Sequence, residues 1–291
     1  MLRGSVSAGP PLADPQAWKA SIIEGFTAVA DAYDADGGEF VQRAGAWLVE
    51  VTGVAVGAWV LDVGCGKGAA ALAAARAAGL CGHVTGIDLA VPMLERARDR
   101  ARAAALANVS FKEDDASAPG WPPGSFDVIL AASVIQFLPR TARVLARWRE
   151  LLMAGGTLGI AWSMVQDARW EPVLAAVDAY VPDGVPGYDA FMRRPPFGSV
   201  HAVGELLTGA GYVQAATVAR AFTLACDGPQ QWWEVCRTQG PWAVSWRHIA
   251  PSRLRQAKQD AFRLLENLRG PDGTLTQAVT FAVTTARKGT W

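Results

Sequence analysis

The stretch VLDVGCGKGAAAL, residues 60–72, puts an acid just ahead of three alternating glycines: Asp62, then Gly64, Gly66 and Gly68, then a run rich in alanine. Glycine lets the backbone turn sharply and lets a ligand approach main-chain atoms without meeting a Cβ. The start of the helix that the alanines predict offers free N–H groups. A nucleotide-like ligand is implied. Asp62 would orient an ammonium group of that ligand, directly or through water, or organise the loop. Gly64, Gly66 and Ala69 also satisfy the dinucleotide pattern G-x-G-x-x-G/A, so this stretch leaves the ligand open.

Two later acids narrow the choice. Asp88 closes the strand-like HVTGID about twenty residues beyond Gly68, where a carboxylate accepts hydrogen bonds from ribose hydroxyls. Either reading of the glycine loop wants it. EDDASAPGWPPGSFDVIL then follows a third strand-like run, with Asp114, Asp115 and Ala116 ahead of a Pro/Gly loop. An acid there takes a hydrogen bond from an exocyclic amine while the Ala116 N–H meets a ring nitrogen, which together read an adenine edge. A nicotinamide enzyme has no need of that arrangement.

The elements that must position these groups alternate. Strands are predicted near 59–63, 83–87, 109–112, 128–132 and 156–162, with helices near 69–78, 91–106 and 140–152, a parallel sheet wrapped by helices. Two amphipathic helices precede them, one with Trp18, Ile22, Phe26 and Tyr33 at helical spacing and one with Phe40, Ala44, Trp47 and Val51. After them come a helix near 200–208, opened by Ser199 as a cap, a strand near 212–224, a helical Trp-rich stretch, and a last strand near 276–286. The Pro-rich residues 1–15 read as a disordered tail and 16–291 as one domain. Within it, 16–55 form a helical cover, 56–163 the ligand-binding core, and 164–200 with 225–272 two lid insertions over the acceptor.

Taken together, VLDVGCGKG, GIDLAVPML, EDDASAPGWPPGSFDVIL, ASVIQFLP, GGTLGIAW and LLTGAGY resemble the ordered motifs of class I S-adenosylmethionine-dependent methyltransferases, in the ubiquinone/menaquinone-type small-molecule branch. The resemblance implies an α/β, Rossmann-like, seven-stranded doubly wound sheet with an antiparallel last strand and helical lid insertions. It implies S-adenosyl-L-methionine as cofactor and no metal. Carried over, Asp62, Gly64, Cys65 and Gly66 hold the methionine part, and Tyr33 sits over it. Asp88 binds ribose, Leu89 and Met93 flank adenine, Asp115 or Asp114 reads its edge with Ala116, and Ser133 and Gln136 face the cofactor from the other side. Three positions depart from the pattern: Lys67 replaces a small hydroxyl residue, Ala90 a helix-capping Ser, and Gln136 a common His.

Methyl transfer from a sulfonium needs mainly proximity and orientation, and a base only if the acceptor must lose a proton. The candidates for a base are His201, His248 and Glu171; none is singled out. Large aromatics gather in the predicted lids. Phe40, Trp162, Trp170, Trp232, Trp233, Trp242 and Trp246, with Tyr188, Phe191 and Phe197, suggest a wall for a bulky apolar or aromatic acceptor, or the packing of lid helices. Arg193 and Arg194 suit a solvated turn. The activity implied is methyl transfer to a natural-product small molecule. The alternative is an S-adenosylmethionine-binding enzyme of the same fold that performs a cyclisation or other non-methylating step.

Composition excludes several partners. Lys+Arg and Asp+Glu balance at 27 each, so no basic field gathers nucleic acid or an anionic membrane. Cys65, Cys81, Cys226 and Cys236 form no C-x-x-C pair, and no run has signal-peptide or membrane-span length, which favours a cytoplasmic protein. Oligomeric state is left open.

Overall fold

The computed structural model describes residues 14–34, 39–185 and 199–290. The expected tail therefore lies almost wholly outside the described residues, as do Tyr188, Phe191, Arg193, Arg194 and Phe197. Two helices, α1 (Pro15–Val29) and α2 (Glu39–Thr52), lead into the alternating part. That part runs β1 (Trp59–Val63), α3 (Ala69–Ala78), β2 (His83–Asp88), α4 (Val91–Ala103), β3 (Val109–Glu113), β4 (Phe126–Ala132), α5 (Thr141–Leu151) and β5 (Leu152–Gln166). Then come α6 (Glu171–Asp178), α7 (Val200–Gly209), β6 (Tyr212–Cys226), α8 (Pro229–Thr238), α9 (Trp242–Ser245), α10 (Pro251–Leu265) and β7 (Leu275–Lys288).

The strands form one seven-stranded sheet in the order β3-β2-β1-β4-β5-β7-β6. β1 to β5 are mutually parallel, and β7 slots between β5 and β6 antiparallel to both. Because neighbouring residues of a strand face opposite sides, the central strands feed two cores. Val60, Val128 and Leu130 pack with α2 and α3 on one face. Leu61, Val63, Ile129 and Ile160 pack with Trp148 and Leu151 of α5 on the other. A third cluster joins α6 to α8 and α10 through Trp170, Val177, Trp232, Trp233, Trp246 and Ala261. β6 and β5 both run antiparallel to β7, so the segments that leave them emerge at the edge where β1 and β4 also end. The helical cluster thus stands at the glycine-loop end of the sheet.

Local sequence accounts for the departures from the predicted boundaries. α4 stops at Ala103 rather than reaching Leu106. Ala105 turns left-handed, and the Asn108 side chain donates to the Ala75 and Gly79 carbonyls at 2.8 Å each, capping α3 and pulling the chain toward β3. At the start of α4, Ala90 gives no side-chain cap, but its N–H donates to Asp88 Oδ1 at 2.9 Å. β6 and β7 exceed the predicted lengths because they pair with each other along nearly their whole spans, and β5 runs on to Gln166 because its later part, from Thr157, pairs with β7. Among the described residues no helix is long and apolar enough to cross a membrane.

Candidate active site

The loop after β1 is left-handed at all three glycines, with φ of +63°, +51° and +83° at Gly64, Gly66 and Gly68. A Cβ at Gly64 would overlap the Val134 side chain, whereas one at Gly66 would meet nothing within 4 Å and would only obstruct open space. α3 begins without a side-chain cap, so its first N–H groups stay available. Asp88 fixes the loop from the end of β2, accepting the Gly66 N–H at 2.9 Å through Oδ2. Burial outweighs these hydrogen bonds and pushes its carboxyl up. Asp62 lies beneath the loop and is fully buried. Neither of its oxygens forms a hydrogen bond of ordinary geometry, with the Ala71 N–H as an outlying donor. Burial and then the charge of Asp88 push it up to about 8, so at neutral pH it is a protonated acid.

Two cavities meet over this loop. The smaller, about 140 Å³, is walled by Leu89, Met93, Asp88, Ala116 and by Ile22, Ile23 and Phe26 of α1. The larger, about 240 Å³, lies between the loop, α2, the β6–β7 ribbon and the helical cluster. Tyr33, Gly64, Gly66, Ala132 and Ser133 line both and form the seam. Ser133 holds a left-handed φ of +55° there, directly after β4. It is the one non-glycine residue of the seam under such backbone strain. Of the residues expected on the cofactor side, Leu89, Met93, Asp88, Asp114, Asp115 and Ala116 wall the smaller cavity, while Cys65 and Gln136 wall the larger. Asp62 walls neither.

The two candidate acids beyond β3 are engaged differently. Asp114 organises its own loop, accepting from the Asp115 and Gly120 N–H groups. Asp115 accepts the Ser117 N–H at 2.8 Å and pairs with Lys19 of α1 at 2.5 Å. Burial opposes its ionisation, but Lys19 and Ser117 outweigh that and hold the carboxyl below its ordinary range.

Residues 60–156 match the family model described as a methyltransferase domain. The nocamycin O-methyltransferase of Saccharothrix syringae is 35% identical over 199 residues, 65% of this chain and 71% of that protein. The chain belongs to the class I S-adenosylmethionine-dependent methyltransferases. Aklanonic acid methyltransferase DauC of Streptomyces sp. (strain C5) is 38% identical over 141 residues, 48% of this chain and 64% of that one. In overall fold the [4+2]-cyclase SpnF aligns with a TM-score of 0.59 at 20% identity, covering 98% of this chain and 100% of that one.

S-adenosylmethionine is therefore this methyltransferase's cofactor, and the residues present fit it. The space above Gly66, the uncapped start of α3, the acid at the end of β2 and the apolar walls of the smaller cavity suit the ends of such a molecule. Not anticipated from sequence was the clamp that Lys67 makes. Buried in the glycine loop, its ammonium donates to the Tyr33 carbonyl at 2.6 Å and pairs with Asp34 at 3.1 Å. Arg100 of α4 grips the same Asp34 with two bonds of 2.7 Å. Burial raises the Asp34 carboxyl, but Arg100 and then Lys67 more than reverse that. The segment carrying Tyr33 is thereby fastened over the seam. The neighbouring carboxylates of Asp34 and Asp88 add to burial in pushing the Tyr33 phenol up.

The aromatic wall of the methyltransferase is smaller than the sequence suggests. Phe40, Trp170, Trp232 and Trp242 line the larger cavity, with Phe281, Val279, Leu275 and Leu224 from the ribbon. Trp162, Trp233 and Trp246 do not. Trp162 is buried in the sheet core and donates to Thr284 Oγ1 at 3.0 Å. Trp233 stacks on Trp246 at 5.5 Å, and the Trp246 indole donates to Asp178 Oδ1 at 2.7 Å. Nor do the three candidate bases line either cavity. His201 is exposed on α7 beside Glu205, Glu171 is exposed at the start of α6, and His248 faces Ser21 Oγ at 3.4 Å. Burial, then Arg247, lowers the His248 pKa.

Proposed function

We propose that this methyltransferase transfers a methyl group from S-adenosylmethionine to a bulky, largely apolar small molecule of natural-product type. The observation that carries the reading is the meeting of two unlike cavities at one seam. One is walled by groups suited to a nucleoside and the other is broad and apolar. Asp88 would accept the ribose hydroxyls through lone pairs left over from its backbone bonds. Leu89 and Met93 would flank adenine, Asp115 with the Ala116 N–H would read its edge, and Gly64 to Gly66 would pass the methionine part across the seam. The cofactor supplies a methyl group on an electrophilic sulfonium. The nucleophile's position falls to Gln136 and the cavity walls.

Gln136 suits that task. Its Nε2 donates to the Ser133 carbonyl at 2.7 Å, and Oε1, a buried acceptor with no partner, would take a hydrogen bond from a hydroxyl or N–H of the acceptor. Among the described residues of the larger cavity there is no free base. Asp34 and Lys67 are ion-paired, and burial pushes the Tyr33 phenol and the Cys226 and Cys236 thiols up. The acceptor atom then either carries a free lone pair or is acidic enough to ionise unaided. Residues 16–55 would act as the cover and 164–200 with 225–272 as the acceptor lids.

Candidate acceptors incubated with the enzyme and labelled cofactor test the reading. Label in the product with stoichiometric release of S-adenosylhomocysteine supports it. Product formed without S-adenosylhomocysteine would instead identify a non-methylating step such as a cyclisation.

A further inference from the structure

Three buried polar atoms of residues that line the larger cavity have no partner among the described residues: Gln136 Oε1, Trp170 Nε1 and Trp242 Nε1. The cavity they belong to is walled mainly by apolar side chains such as Phe40, Leu224, Val235, Val279 and Phe281, with Ser163, Gln239 and Gln277 among its polar members. An indole N–H only donates, and a buried donor without an acceptor is costly enough that folded proteins rarely leave one. Other indoles of this protein follow that rule. Trp18 donates to the Phe137 carbonyl, Trp148 to the Ala116 carbonyl, Trp162 to Thr284 and Trp246 to Asp178. The two that break it belong to residues that line the cavity, on segments that follow different strands. Trp170 comes after β5 and Trp242 after β6, and they are linked through a chain of ring contacts, Trp170 to Trp232 at 6.1 Å, Trp232 to Trp246 at 6.0 Å and Trp246 to Trp242 at 6.2 Å. Their ring positions are therefore set by packing.

We propose that Trp170 and Trp242 determine acceptor specificity: their indole N–H groups donate to carbonyl oxygen on the part of the acceptor remote from the cofactor seam, so the enzyme selects an oxygenated polycycle over a hydrocarbon of the same shape. Neither residue lines the seam, whereas Gln136 stands beside seam residue Ser133, so the ligand is read at two ends. A donor group meets Oε1 near the methyl, and lone pairs meet the indoles.

This inference rests on the proposed apolar acceptor cavity, and the test separates the two. Enzyme saturated with S-adenosylhomocysteine and labelled with ¹⁵N at its 12 tryptophans is titrated with xanthone and with xanthene, in which a methylene replaces the carbonyl. Trp170→Phe and Trp242→Phe assign the two indole resonances and keep the ring packing. The expected result is tighter binding of xanthone by about tenfold. The two assigned N–H protons move downfield with xanthone alone, and the preference falls toward unity in either variant. S-adenosylhomocysteine affinity, read on the same samples, reports that the variants fold. If a variant does not fold, the downfield shift in the wild-type enzyme still decides. Equal binding of both probes, or a xanthone preference that survives both substitutions, overturns the indole assignment and leaves the apolar cavity standing. Failure of both probes to bind overturns both.

Discussion

Asp62 is the residue whose position says most about the cofactor loop. Its carboxyl is sealed beneath the glycines, and burial lifts it from 3.8 to about 8. A folded-state pKa above the unfolded one means that folding favours the protonated form. The group's contribution to stability is whole below about pH 4, is lost as pH rises toward 8, and is flat beyond. Asp88, also pushed up by burial, adds to the same slope. Asp62→Asn should therefore raise Tm over wild type at about pH 8.5 and leave it unchanged at about pH 4, as calorimetry at the two pH values would reveal. The proposed role of Asp88 in holding the cofactor is tested by its own substitution. Asp88→Ala removes a charged acceptor and the tie to Gly66, and titration calorimetry should find S-adenosylhomocysteine binding weaker by about 2 kcal/mol or more. Asp115→Ala should cost about half as much. Unchanged affinity in both would remove the cofactor assignment for the smaller cavity.

Among the elements, the clamp between the glycine loop, the turn after α1 and α4 sets how the seam is covered. Lys67→Met deletes the ammonium that holds the Tyr33 carbonyl and leaves Asp34 to Arg100 and the Gln42 amide. Hydrogen exchange in residues 29–34 should quicken, and stability should fall by roughly 1–3 kcal/mol. The helical cluster divides its tryptophans by role. Trp233, buried against Trp246 and off the cavity, should cost about 3–5 kcal/mol of stability when cut to alanine while leaving cofactor affinity intact. Trp232→Phe should instead act chiefly on the acceptor's KM, because its ring is part of the wall. Underneath, α2 rests on β5 at Gly159, where an added Cβ would overlap Thr52 Oγ1. Gly159→Ala should tilt α2, with its cavity residues Phe40, Val41 and Ala44, and lower both Tm and acceptor binding.

For the whole molecule, a ligand that binds only the folded state stabilises it by mass action. At about 100 times its Kd this is about 2.7 kcal/mol, enough to raise Tm by several degrees in a chain of this size. S-adenosylhomocysteine should produce that rise and NAD none, which thermal unfolding with each ligand checks directly.

The sequence by itself determined the family, the parallel core and which residues gather at the glycine-loop edge of the sheet. In a parallel α/β sheet the strands end at one edge, so acids and glycines placed just past each apolar run are brought together by chain order alone. Asp88, Leu89, Met93, Asp115 and Ala116 are all of that kind, and each walls the smaller cavity. Tertiary structure alone decided what lines the larger cavity. Twelve tryptophans share one vocabulary, and a tryptophan at helical spacing reads the same whether it packs a core or walls a cavity. All five of Trp170, Trp232, Trp233, Trp242 and Trp246 pack in the helical cluster, but the packing leaves only Trp170, Trp232 and Trp242 on the cavity wall as well. Lys67 joined Asp34 and Arg100, and Lys19 joined Asp115, across separations no local pattern encodes. Which buried N–H groups were left for a ligand depended on where every other acceptor went, a property of the packed whole.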